Sequence, residues 1–232
     1  MAGSVFHFPF VFFVCAFVFR AHFLRGEFFR ADMNKSKLRK TLRARRNALA
    51  PAAQRRAARG LAARLRALPA FARSKRIALY FANDGEIDPA RAWELCAARG
   101  KQCYAPVIIA GKKAGEKRRL RFARVSARTR MSPNRFGIRE PDVPPHEMID
   151  ARDLDLALLP LVGFDRRGNR IGMGGGFYDA TFAFKRARPS APPQLVGLAH
   201  EIQRVARIGA DNWDIPISAV VTERRIYRCG AA

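Results

Sequence analysis

Between Asn34 and Asn83 the chain has no aspartate or glutamate, while lysine and arginine recur throughout. Cysteine is scarce as well. The four present among 232 residues (Cys15, Cys96, Cys103, Cys229) form no CxxC pair, which argues against a disulfide framework and for a reducing compartment. The four histidines (His7, His22, His146, His200) make no HExxH or mixed Cys/His cluster, so a structural zinc site is not expected. The glycine-rich stretch near residue 174 lacks a closing Gly-Lys-Ser/Thr, which excludes a Walker A loop. It also lacks the third glycine of a GxGxxG fingerprint, since Phe177 stands there. No Ser-His-type nucleophile constellation is visible.

What is present is a chain long enough for one sizeable core, 49% hydrophobic, with a formal charge of +25. That charge favours anionic partners, either nucleic acid or small polyanions, although Ala/Arg-rich composition alone also fills solvated helix faces with arginine. A second basic run spans Gly111 to Arg130. Residues Ser4 to Phe19 are almost wholly apolar and rich in phenylalanine. The run is shorter than the ~20 residues that cross a bilayer, and it lacks the basic start and small-residue cleavage site of a secretory signal. Composition switches at Met33. Residues 1–32 are therefore read as coming from a start site placed too far upstream, with Met33 the natural start and 33–232 one domain, rather than as a membrane anchor. The expected location is cytoplasmic.

Periodicity then gives the organisation. Asn34 is a candidate N-cap for a helix carrying Leu38, Leu42 and Leu49 on one stripe. Pro51 opens a second helix, which Pro69 is expected to stop. Lys75 to Ala82 reads as a buried strand, Asp88-Pro89 as the cap and first residue of a helix closed by Gly100, and "KQCYAPVI" as the next strand, together a βαβ unit. "RLRFARV", "DLDLALLP", "PQLVGLAH" and "ISAVVTE" read as further strands, with a helix from Phe177 toward Lys185. The expected fold is a single-domain α/β open sheet, mostly parallel, with helices on both faces in a Rossmann-like three-layer arrangement. Ligands in such sheets bind at the carboxyl ends of the strands, which gathers "NDGEID", the glycine stretch and the segment after "GLAH" at one edge.

In "GFDRRGNRIGMGGGFYDA", Gly172, Gly174, Gly175 and Gly176 follow a strand and precede a helix. Bare backbone N–H groups at such a place suit a phosphate, and Arg170 adds a fork of donors. Asp179 would repel a bare phosphate, but suits one that carries Mg²⁺. The alternative is a glycine-rich turn with Asp179 as an ordinary first-turn carboxylate.

"LPLVGFDRRGNRIGMGGGFYDA" resembles the signature of the 5-formyltetrahydrofolate cyclo-ligase family, the methenyltetrahydrofolate synthetases. "KSKLR", "GEIDPARAWELCAARGKQCYAPV", "NRFGIREP" and "HEIQ…WDIPISAVVTE" resemble its other segments in the same order, so the likeness runs from about Asn34 to Glu223. The resemblance implies ATP- and Mg²⁺-dependent closure of 5-formyltetrahydrofolate to 5,10-methenyltetrahydrofolate, with release of ADP and phosphate through a phosphorylated formyl group. It implies that Lys35 and Arg39, which share one helix face at i and i+4, contact ATP phosphates. The backbone of Arg170, Ile171, Gly172, Met173, Gly174, Gly175, Gly176, Phe177 and Tyr178 would cradle the nucleotide, and Met173 to Phe177 would also line the folate side. Asp179 and Asp214 would hold the metal, Glu86 the pterin, and Phe136 and Gly137 would shape the folate pocket. Gln203 would contact substrate, and Tyr178 and Arg170 would act on the reacting groups. His200 is expected to be structural and Glu140-Pro141 a turn. Four features depart from the family pattern: Met173, Phe177 for the first tyrosine, Ala180 after the aspartate, and no proline within "RIGADNWD".

The implied partners are small molecules, including polyglutamylated folate, whose charge the basic surface would attract. No obligate nucleic acid or membrane is implied, and the chain would be a monomer or weak oligomer. Two rival readings remain at this point: a nucleic-acid-binding protein using the basic helices, and a sugar-phosphate isomerase or acyl-CoA transferase on a similar sheet. Neither predicts dependence on ATP.

Overall fold

The computed structural model describes residues 35–109 and 119–229. Residues 1–32, the candidate cap Asn34 and the first part of the second basic run lie outside the described residues. In chain order the elements are α1 (Lys35–Asn47), α2 (Pro51–Arg66), α3 (Pro69–Arg73), β1 (Arg76–Ala78), α4 (Ala90–Ala98), β2 (Gln102–Ile109) and β3 (Arg119–Arg124). Then come β4 (Met131–Pro133), β5 (Arg139–Pro141), β6 (Met148–Ile149), β7 (Leu156–Pro160), β8 (Gly163–Phe164) and β9 (Arg170–Ile171). The chain finishes with α5 (Phe177–Thr181), β10 (Gln194–Leu198), β11 (Ala219–Val221) and β12 (Ile226–Arg228).

Among the described residues the main sheet has eight strands in the order β12-β11-β10-β7-β1-β2-β3-β6. The central run β11-β10-β7-β1-β2 is parallel throughout. The edge pairs β11-β12, β2-β3 and β3-β6 are antiparallel. The βαβ unit read from the sequence is β1-α4-β2, with Ile77 opposite Cys103.

Alternation of side chains decides the two faces. Ile77, Leu79, Leu156, Leu158, Val196 and Leu198 meet Leu61 and Leu65 of α2, Phe71 of α3 and Cys96 of α4 on one side. Ala78, Ala157, Leu159, Leu195 and Val220 point the other way, to Phe182, Leu154 and Ile217. Strand β7 is therefore covered on both faces, which is why its sequence is a continuous apolar run instead of an alternating one. The two covers differ. The longer helices α2 and α4 occupy one face; short α5, 3₁₀ turns and loops cover the other.

Local chemistry sets the ends. Gly100 takes φ +61° just after α4, with its N–H on the Ala97 carbonyl and the Lys101 N–H on Cys96, a Schellman closure. Asp88 receives the Ala90 N–H at 2.9 Å, the bond a cap before Pro89 makes, while the helix itself opens at Ala90, one residue later than expected. Pro69 ends α2 as expected but also opens α3. Strand β1 is shorter than Lys75 to Ala82, although the Leu79 N–H still bonds the Tyr104 carbonyl at 2.9 Å.

Helix α1 packs on neither main cluster. Leu38 and Leu42, four residues apart, are buried against Val162, Ile171, Val205 and Ile208. This seats α1 against the segments that leave β7 and β10, and turns its basic face toward their loops.

Candidate active site

The strand β7 and the glycine stretch are separated by a small hairpin, β8-β9, which the sequence reading did not anticipate. Its root is Asp165, fully buried. The carboxylate accepts the N–H groups of Arg167 and Asn169 at 2.9 and 3.1 Å, the Asn169 side-chain amide at 3.0 Å and the Ile208 N–H at 2.9 Å. Four donors offset the cost of burying a carboxylate. The Phe-Asp of the signature is thus a structural knot that aims the glycine stretch.

Beyond the hairpin, Gly174 and Gly176 have φ +99° and +64°, values that side chains rarely adopt. A Cβ placed on Gly172 or Gly176 would meet nothing within 4 Å. The backbone is bare toward open space, and that space is a cleft of about 1320 Å³. The cleft is lined by Lys35, Arg39, Glu86, Phe136, Arg170 through Asp179, and Asp214. Nearly all the predicted site residues therefore share one cavity. The exposed large apolar side chains Phe136, Met173 and Trp213 stand on its wall too, as expected of a surface that meets a ligand.

Four cations of α1 reach the loops around the cleft, two of them meeting at Asp84. Lys35 bridges Asp211 at 2.6 Å and Asp214 at 3.2 Å. Arg39 Nε donates to the Gly172 carbonyl at 2.8 Å. Arg43 Nε donates to Asp84 Oδ2 at 2.7 Å. Arg46, fully buried, donates from Nε to the Asp84 carbonyl (2.7 Å), from Nη2 to Asp84 Oδ2 (2.8 Å) and from Nη1 to the Leu161 carbonyl (3.3 Å). Their spacing of 4, 4 and 3 residues keeps them on one helical face.

Beside these contacts, Arg170 Nη2 donates to Asp179 Oδ1 at 2.6 Å, and its Nη1 donates to the Ile215 carbonyl. The Ile215 N–H returns to Asp179 Oδ1 at 3.1 Å. Asp179 is thereby tied to the residue that follows Asp214. Side chains of Asp179 and Asp214 are 28% and 25% exposed, open enough to accept an ion. No group of three or more His, Cys, Asp or Glu with metal-site spacing occurs among the described residues. Mg²⁺ does not require one, because it takes one or two carboxylates and fills its other positions with phosphate and water. An oxygen-only pair beside a bare glycine backbone suits such an ion.

Glu86 is set apart. Its side chain is 12% exposed, and burial raises its pKa to about 7, against the pull of Arg46 and of the Asn83 N–H. Asp84 moves the opposite way. The hydrogen bond from Arg43 leads, and those from Asn47 and Arg46 join it, to hold the carboxyl below the usual range in spite of partial burial. Burial drives the Tyr178 phenol upward, with Glu86 adding to the effect and Arg170 opposing it. At Lys35, partial burial is outweighed by Asp211 and Asp214, so the ammonium is raised.

Three expectations need correction. Gln203 does not reach the cleft. It is buried, its amide donates to the Leu161 and Val162 carbonyls at 2.7 and 2.9 Å, and its oxygen accepts the His200 N–H at 2.8 Å, so it holds the chain behind the site. Gly137 does not line the cleft either; with φ +73° it makes the turn between β4 and β5 that presents Phe136. Glu140 is no mere turn residue. It lies in β5, lines the cleft, and accepts the Asn134 amide at 2.7 Å and the Ile108 N–H at 3.3 Å. His200 is buried, as expected of a structural residue, but its Nε2 has no partner. The sequence reading missed Asp84, Arg46 and Asp211. Asp84 carried one signal, an Asp-Gly pair whose residues take φ +50° and +72°.

The fold and this cleft define an α/β enzyme whose site lies at the ends of its sheet strands. The chain belongs to the 5-formyltetrahydrofolate cyclo-ligase family, whose sequence model matches residues 31–223. The 5-formyltetrahydrofolate cyclo-ligase of Escherichia coli strain K12 is 34% identical over 186 residues, covering 80% of this chain and 98% of that one. The enzyme of that name from Haemophilus influenzae is 38% identical over 144 residues, 62% of this chain and 73% of the relative. A solved 5,10-methenyltetrahydrofolate synthetase from Aquifex aeolicus superposes with a TM-score of 0.68 at 31% identity, covering 86% of this chain and 95% of the other. The protein is thus a ligase of folate metabolism. No helix among the described residues is long and apolar enough to cross a membrane.

Proposed function

We propose that the enzyme converts 5-formyltetrahydrofolate to 5,10-methenyltetrahydrofolate, using ATP with Mg²⁺ and releasing ADP and phosphate. One observation carries the reading. A single cleft holds both a bare glycine backbone flanked by Lys35, Arg39 and Arg170 and the nearly buried carboxylate of Glu86. Such a cleft suits two ligands at once, a polyphosphate and a pterin.

The chemistry needs both. A formamide carbonyl is a weak electrophile, and oxide is a poor leaving group. Transfer of the terminal phosphoryl of ATP to the formyl oxygen releases ADP and leaves an iminium phosphate at N5. N10 attacks the formyl carbon within the same molecule, loses its proton, and phosphate departs with the former formyl oxygen. The steps call for positioning and charge compensation instead of a protein nucleophile.

Lys35 and Arg39 neutralise phosphate charge, and the N–H groups of residues 172–177 hold phosphate oxygens. Arg170 orients Asp179 through their 2.6 Å contact and faces the charge that moves onto the leaving group. Asp179 and Asp214 would hold Mg²⁺, which when bound supplies positive charge between the phosphates. Ionised Glu86 accepts the paired N–H donors of the pterin. Phe136 and Phe177, edge to face at 6.1 Å, supply apolar wall, and Tyr178 would lie beside the formyl group. The proteins are expected to bind polyglutamylated folate, in the cytoplasm, as monomers or weak oligomers.

The test is to incubate the full chain with 5-formyltetrahydrofolate, ATP and Mg²⁺ and follow the near-UV absorbance of the methenyl product. Heavy oxygen placed in the formyl group should appear in the released phosphate. Well-folded protein that gives no ATP-dependent product would overturn the reading, and label left in the folate or water would overturn the intermediate.

A further inference from the structure

Arginine is almost never fully buried unless its donors are used. Arg46 is 0% exposed, and it spends its donors on two strand-end segments: Asp84, through both carbonyl and carboxylate, and the Leu161 carbonyl. Its Nη2 also lies 3.8 Å from the Met173 sulfur and 3.9 Å from Glu86 Oε1. Asp84 in turn is held by three residues of α1, with Arg43 at 2.7 Å and the Asn47 amide at 3.0 Å joining Arg46. The turn they grip is tight. A Cβ on Gly85 would stand 2.1 Å from the Asn47 side-chain oxygen, and Gly85 has φ +72°. His200, whose ring is buried, lies near this turn as well. Glu86 is the next residue, and its Oε2 accepts the Asn83 N–H across the same turn at 3.2 Å.

We propose that Arg46, locked by Asp84, is a positioning residue for Glu86: it fixes where that carboxylate stands in the cleft and supplies the positive charge beside it. The inference rests on the reading of Glu86 as the pterin acceptor and goes beyond it by assigning the residue that makes Glu86 competent. The physical need is plain. A carboxylate in a nearly closed wall tends to keep its proton, and a protonated carboxyl accepts poorly from two N–H donors. The groups facing Glu86 are Arg46 from α1, Asp84 and the Asn83 N–H from its own loop, Tyr80 from the segment that follows β1, and Tyr178 from α5. Of the ionisable groups among these, only Arg46 is a cation. The two members of the lock act on Glu86 with opposite sign: Arg46 favours its ionised form and Asp84 its protonated form.

That opposition gives the test. KM values for 5-formyltetrahydrofolate and for ATP are measured against pH for Arg46→Gln, Asp84→Asn and Glu86→Gln beside the unaltered chain, with thermal melts to confirm folding. At pH about 8, Arg46→Gln and Asp84→Asn should each raise the folate KM by about tenfold or more, with the ATP KM within about twofold. The midpoint of the folate-KM profile should move to higher pH in Arg46→Gln and to lower pH in Asp84→Asn, a split that mere loosening of the turn does not produce. Should Arg46→Gln fail to fold, Asp84→Asn decides alone: an unchanged folate KM, or an equal rise in both KM values, overturns the inference. Glu86→Gln separates the two levels. If it leaves the folate KM unchanged, the pterin assignment falls and the inference with it. If it raises the folate KM while the other two variants do not, the inference alone falls.

Discussion

The two ends of α1 carry the same kind of side chain into opposite surroundings. At the outer end, Lys35 is 34% exposed and its partners Asp211 and Asp214 are 40% and 25% exposed. At the inner end Arg46 has no exposure at all. An exposed pair of this sort is worth about 0–1 kcal/mol and exchanges readily. Removing one partner of a buried pair costs about 3–5 kcal/mol, because the other is left uncompensated. The outer end can therefore give up its protein partners when a polyphosphate arrives, while the inner end cannot. On the proposed function, one helix face thus serves as ligand contact at one end and as framework at the other.

The comparison can be broken in several ways, beginning with the largest effect. Asp179→Asn keeps the shape that receives Arg170 and the Ile215 N–H but removes the charge. It should lower kcat by about 10²–10³, while Glu140→Gln should lower it far less. Equal losses would remove the metal role from Asp179. Lys35→Ala and Arg39→Ala should each raise the ATP KM by about tenfold and barely move the folate KM; urea melts of Lys35→Ala should show a stability change of no more than about 1 kcal/mol. A larger loss would mean that the outer end is framework after all.

The smallest effect is the sharpest check on the inner end. The pKa of Glu86 is raised to about 7, above its ordinary value, so the ionised form is present above that pH and is lost as pH falls through it. The folate KM of the unaltered chain should be flat above pH about 8 and rise by about fivefold to tenfold by pH about 6. A profile flat through that range would show that Glu86 does not need its charge.

Much of this was legible in the residues. The apolar runs that begin at Ile77, Cys103 and Leu156 are strands with side chains covered on both faces, and a covered strand writes itself as hydrophobic sequence. The Lys35/Arg39 pair could be placed on one face from spacing alone. The next two members of the row could not. In a helix crowded with arginine nothing local marks Arg46, whose burial is decided by Asp84, 38 residues away. The β8-β9 hairpin was hidden because each strand has two residues and its anchor, Asp165, takes a donor from Ile208. Gln203 was misassigned for the same reason, since the carbonyls that engage its amide lie 41 and 42 positions earlier.

Helix α1 also sets an order of events. Lys35 meets Asp211 across 176 positions of sequence, and Arg39 meets Gly172 across 133. Contacts that distant cannot form while the later segments are still being synthesised, and their loop closure slows folding. A nascent chain can already close α1 onto the Asp84 turn, but the Lys35 and Arg39 side of the cleft must wait for the segments that carry Gly172, Asp211 and Asp214. On the proposed reading, the enzyme should therefore stay unable to hold nucleotide until nearly all of it has left the ribosome, so that a prematurely terminated chain would neither sequester ATP nor consume it.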